Sequence, residues 1–98
     1  MSTRALIAKL EALKPSLQDE GVEGLVLFGS QARGMAGPGS DIDIAISVAK
    51  GSRFSILNLV GVEQLVSDAT DLPANAFMLR ALDDGFRADI NRHGIKVF

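Results

Sequence analysis

The sequence predicts a mixed α/β (α+β) domain, a small mixed sheet covered by helices. Three observations predict it. The 98 residues are 47% hydrophobic and 22% charged, a balance that supports one globular core. The stretch Asp41 to Val48 alternates polar and apolar residues in the two-residue period of a strand. On both sides of it, leucines, valines and phenylalanines recur at helical spacing.

In chain order, Ser2 or Thr3 can cap a first helix whose apolar face is Leu6, Leu10, Leu13 and Leu17. Pro15 lies inside that pattern and ends or kinks the helix. Asp19, Glu20 and Gly21 form a break. Leu25 to Phe28 is a short continuous apolar run and reads as a strand buried on both faces. Gly29-Ser30 follows at once, and then a loop with Gly34, Gly37, Pro38 and Gly39. In the alternating strand, Asp41 and Asp43 share one face, and Ile42, Ile44 and Ile46 share the other. A second helix is expected over residues 54–67, with Phe54, Leu57, Val60, Gln64 and Leu65 at roughly helical spacing. Asp71-Leu72 reads as the middle of a short third strand stopped by Pro73. A third helix is expected from Phe77 to Asn91 with Phe77, Leu82, Phe86 and Ile90 inward. Asp83, Asp84, Arg87 and Arg92 fall on its solvated face. Gly94 stops it, His93 suits its negative C-terminal end, and Ile95 to Phe98 reads as a last strand.

Composition excludes several function classes. The chain has no cysteine, so thiolate catalysis, disulfide scaffolds and zinc ribbons are out. A net charge of −2 with no basic stripe argues against direct binding to nucleic acid. No run approaches the roughly 20 apolar residues of a membrane span. Charges at Arg4, Lys9, Glu11 and Lys14 break up any signal-peptide core. The expectation is a single cytoplasmic domain over residues 1–98.

The stretch with chemical content runs from Leu27 to Val48. Gly29-Ser30, ten residues, then Asp41-Ile42-Asp43 arises by chance in about one such chain in a thousand. Two acids on one strand face repel each other without a counter-ion, which argues against a merely solvated face. The run Leu27-Phe28-Gly29-Ser30-Gln31-Ala32-Arg33-Gly34, then Ser40-Asp41-Ile42-Asp43-Ile44-Ala45, resembles the signature of the nucleotidyltransferase superfamily that includes DNA polymerase β. It is most similar to the minimal nucleotidyltransferases, and the resemblance covers nearly the whole chain.

That resemblance implies a polymerase β-like core, with a nucleoside triphosphate as substrate and two Mg²⁺ ions. The residue types suit the chemistry. Asp41 and Asp43 offer hard oxygen ligands from one strand face, and two such ions sit about 3.5–4 Å apart in sites of this kind. Gly29 lets the backbone approach a phosphate, and Ser30 offers a hydroxyl, with free N–H groups behind it if a short helix starts there. Arg33 would touch phosphate or fix the loop through a carboxylate. Ser40 would cap or orient the start of the strand, with direct contact to the nucleotide as the alternative. The family carries a third carboxylate on the next strand, between apolar neighbours and near the acceptor hydroxyl. Asp71 followed by Leu72 is the candidate, although Thr70 precedes it, and Asp68 is the rival.

Minimal nucleotidyltransferases pair with a small helical HEPN-domain toxin. The resemblance therefore implies an antitoxin that transfers AMP from ATP to a tyrosine hydroxyl of its partner. Two other readings stay open: an antitoxin that neutralises its partner by binding alone, and a small-molecule nucleotidyltransferase of the aminoglycoside type.

Overall fold

The computed structural model describes residues 2–98. Ser2 caps the first helix, α1 (Thr3–Ala12), through a hydrogen bond from the Ala5 N–H to its side chain. Leu13 separates it from α2 (Lys14–Glu20), where Pro15 sits in the first turn, the one part of a helix that tolerates its missing N–H. The proline thus starts a second helix after ending the first. Gly21 ends α2 with φ 109°, a conformation open to glycine.

Strand β1 (Val22–Phe28) leads into the four-residue helix α3 (Gly29–Ala32) and a loop, then into β2 (Ile42–Val48). The crossover helix α4 (Ile56–Thr70) carries the chain to β3 (Ala74–Met78). A 3₁₀ turn (Leu79–Ala81), α5 (Asp84–His93) and the two-residue β4 (Ile95–Lys96) complete the fold. The sheet order is β3-β2-β1-β4. β1 pairs antiparallel with β2 and β4, and β2 pairs parallel with β3. A parallel neighbour needs a crossover, and α4 supplies it.

The core lies on one side of the sheet. Leu25 and Leu27 of β1 and Ile42, Ile44 and Ile46 of β2 pack there against Leu6, Leu10, Leu17, Val62 and Val66 of α1, α2 and α4. Burying the isoleucines fixes the register, because a slip of one residue would send them to the other face in place of the aspartates.

Several expectations change: β1 begins at Val22, before the apolar run, β2 begins at Ile42, one residue after Asp41, and β4 stops at Lys96. The second helix starts two residues later than expected and ends at Thr70, and Leu57 and Val60 are exposed. Its start is set by the Asn58 side chain, which accepts from the Ser55 N–H at 2.9 Å. Asp71 and Leu72 are not in a strand. Asp71 is the left-handed C-cap of α4 with φ 58°, so the chain turns there, and β3 begins after Pro73. Phe77 belongs to β3, where pairing with β2 overrides the helical spacing. α5 starts only at Asp84 because the side chain of Asp83 caps it, accepting from the Phe86 N–H at 3.0 Å. Asp83 is therefore a helix cap outside the solvated face. Gly94 does stop α5, in an extended conformation. A Cβ there would lie 2.5 Å from the Ile90 carbonyl oxygen, so close packing calls for the glycine.

Candidate active site

The polar face of β2 looks away from the core. Phe28 of β1, Asp43 of β2 and Asn75 of β3 stand in register across three strands. The Asn75 Nδ2 donates to Asp41 Oδ2 at 3.1 Å and to Asp43 Oδ1 at 3.2 Å. One amide nitrogen can reach both carboxylates only if they share a face, as their spacing predicts. Carboxylates only accept, so the nitrogen end of the amide must face them. Among the described residues the one ion pair is Arg33 with Asp89, so no basic side chain neutralises Asp41 or Asp43.

Gly29 makes room for Asp43. It has φ 72°, which disfavours any side chain. A Cβ built on it would lie 2.5 Å from Asp43 Oδ2. The strand thus turns at a point where a side chain would collide with the carboxylate. Ser30 follows in α3, whose first turn has no side-chain cap.

Gln31 secures the loop that delivers Asp41. It is buried, and its Nε2 donates to the Ser40 carbonyl at 3.2 Å, while its own carbonyl accepts from Thr3 Oγ1 at 3.0 Å. Ser40 also closes a turn, its N–H donating to the Gly37 carbonyl. Its main chain thus leads directly into Asp41 and β2. Arg33 Nη1 donates to Asp89 Oδ1 of α5 at 3.1 Å. Of its two expected roles, the structure displays the carboxylate contact.

A cleft of about 640 Å³ opens beside these groups. Gly29, Ser30, Arg33 and Asp43 line one side, and Asp83, Gly85, Phe86 and Asp89 of the α5 region line the other. This is within the usual range for a small-molecule site. Phe86 is 48% exposed and offers a ring to it, held edge-on to Phe28 and stacked on Phe77. A second cleft of about 500 Å³, between the ends of β2 and β3 and α5, carries Arg80 and Arg87 and no carboxylate.

Asp71 is not part of this constellation. It lines a separate depression with Gly37, Pro38 and Gly39. Among the described residues no group of three acids or histidines is arranged to hold a metal ion. The rival, Asp68, is exposed on α4 and accepts from Gln64 Nε2 at 2.7 Å. The position facing Asp43 on the next strand, between two apolar neighbours, is Asn75. Its side chain is an amide, so a search of the sequence for a third carboxylate does not reach it. The alternation Ala74-Asn75-Ala76 after a proline was the available signal. Helical spacing in the sequence places Phe86 inward, and Gln31 carries no signal of its own there.

The nucleotidyltransferase domain matches residues 10–96. The chain belongs to that family. Among solved structures, one described as a minimal nucleotidyltransferase superposes on this domain with a TM-score of 0.79, at 24% identity, covering 97% of this chain and 95% of the other. A structure of a toxin–antitoxin with AMP-PNP gives a TM-score of 0.74 at 23% identity, covering 92% and 72%. A tri-AMPylated Shewanella oneidensis HEPN toxin in complex with MNT antitoxin gives 0.65 at 21% identity, covering 90% and 68%. Among the curated proteins none matches. At these identities the likeness is one of fold. This nucleotidyltransferase domain has the mixed four-stranded sheet of that group, and among its described residues no helix is long and apolar enough to cross a membrane.

Proposed function

We propose that this nucleotidyltransferase domain transfers AMP from ATP to a tyrosine hydroxyl of a HEPN-type partner, the tyrosine oxygen displacing pyrophosphate from the α-phosphorus and its proton passing to solvent, and so acts as an antitoxin in the cytoplasm. The observation that carries the reading is that Asn75 bonds both Asp41, just before β2, and Asp43, within it, while Asp43 lines an open cleft with Gly29-Ser30. The donor set there is made of hard oxygens, which suits Mg²⁺. Asp41 and Asp43 would hold it. When bound, Mg²⁺ would neutralise triphosphate charge and steady the leaving pyrophosphate.

The chain's own residues do the rest. Gly29 lets phosphate come close to the backbone, and Ser30 donates its hydroxyl. Arg33 stands at the same wall and can exchange Asp89 for a phosphate oxygen. Gln31, through Ser40, holds the loop that aims Asp41. Phe86 gives the nucleobase an apolar face. The acceptor hydroxyl enters from the open side, where the partner completes the surface.

Incubation with ATP, Mg²⁺ and the partner should place AMP on a tyrosine, read by mass spectrometry. Asp43→Asn should abolish modification and keep partner binding. Full modification by that variant would overturn the mechanism. A second reading, neutralisation by binding alone, is favoured by one observation: an amide, Asn75, stands where an acceptor-side carboxylate is expected. It predicts that the Asp41→Asn, Asp43→Asn double variant still protects cells from the partner.

A further inference from the structure

We infer that Asn75 makes this a site for one divalent cation per bound nucleotide rather than two. The inference rests on the nucleotide-binding reading above and deepens it. Two dications held about 3.5–4 Å apart repel strongly, and carboxylates between them offset that repulsion. Here two carboxylates are present, and the third group is a neutral amide.

The amide is also turned the wrong way for a ligand. Its nitrogen, with both hydrogens, faces Asp41 Oδ2 and Asp43 Oδ1 at 3.1 and 3.2 Å. The partial positive charge of that NH₂ group already bridges the pair. Only its oxygen could bind a cation, and presenting that oxygen means breaking both hydrogen bonds. No other acid among the described residues joins Asp41 and Asp43 to make up the missing charge.

One cation can still enter, because it arrives with a triphosphate that brings its own negative oxygens. A second cation, on the acceptor side, would have to share the same two carboxylates with the first, with no third acid to offset their repulsion. The site therefore holds nucleotide more readily than it activates an acceptor, and Asn75 sets that balance.

The test is electron paramagnetic resonance of Mn²⁺ with AMP-PNP equimolar to the protein. Mn²⁺ shares the preference of Mg²⁺ for oxygen ligands. Wild type should bind one Mn²⁺ per chain, with the spectrum of an isolated ion. Asn75→Asp should bind a second, with the spectrum of a coupled pair and an affinity at least about tenfold above any second binding in wild type. Asn75→Ala, which removes the amide without adding charge, should stay at one. A coupled pair in wild type or in Asn75→Ala would overturn the inference while leaving nucleotide binding intact. Absence of AMP-PNP binding by wild type would overturn the nucleotide reading and this inference together. The wild-type count decides the matter alone should Asn75→Asp fail to fold.

Discussion

A methyl group on Gly29 would lie 2.5 Å from Oδ2 of Asp43. The turn after β1 and the carboxylate on β2 thus occupy one space that only glycine leaves free. Gly29→Ala must move Asp43 and must also hold an alanine at φ 72°. The backbone term alone costs roughly 1–2 kcal/mol. The variant should stay folded by circular dichroism, lose a corresponding amount of stability, and bind Mg²⁺-ATP at least about tenfold more weakly.

Gln31→Ala should act at a distance from the cleft. It leaves the Ser40 carbonyl without its side-chain donor in a half-buried loop. The expected cost is about 1–3 kcal/mol in thermal or urea unfolding. Nucleotide affinity should fall as well, because Asp41 directly follows Ser40. Lowered stability with unchanged affinity would show that the loop does not aim Asp41.

Asp71→Gly separates the helix cap from the chemistry. Asp71 is the one non-glycine residue with positive φ among those described. Glycine suits that C-cap better, so the variant should gain up to about 1 kcal/mol of stability. Mg²⁺-dependent ATP binding, measured by calorimetry, should be unchanged. Its loss would return Asp71 to the site.

Phe86→Ala tests the aromatic wall. Phe86 contacts Phe28 and Phe77 with half of its surface still open to the cleft. If a nucleobase stacks there, the variant should lose on the order of 1–3 kcal/mol of ATP affinity, with a smaller effect on inorganic triphosphate. Equal losses for both ligands would place the base elsewhere.

The aspartate pair was legible because β2 has two unlike faces. Three isoleucines in alternation leave Asp41 and Asp43 no choice of side, and the buried cluster bears this out. The glycine before Ser30 was legible for the same local reason, a turn that follows an apolar run. β3 was not legible. Ala74-Asn75-Ala76-Phe77-Met78 is five residues long, and two of them are small. It becomes a strand through its pairing with β2, over thirty residues earlier in the chain. Phe86 and Ile90 do lie four residues apart on α5, and running that helix back takes in Phe77, which belongs to the strand. The same misplacement drew attention to Asp71, whose apolar neighbour Leu72 imitates a strand context. The residue that meets the carboxylates is four positions on and is an amide.

The most direct measurement is calorimetric titration of ATP to millimolar concentration, in Mg²⁺ and in EDTA, with the Asp41→Asn, Asp43→Asn variant beside wild type. An open cleft corresponds to a binding free energy on the order of −4 to −5 kcal/mol. The account predicts binding in wild type that needs Mg²⁺ and is lost in the variant. Binding of the same strength in EDTA or in the variant would contradict it, since the two carboxylates would then not be what holds the nucleotide.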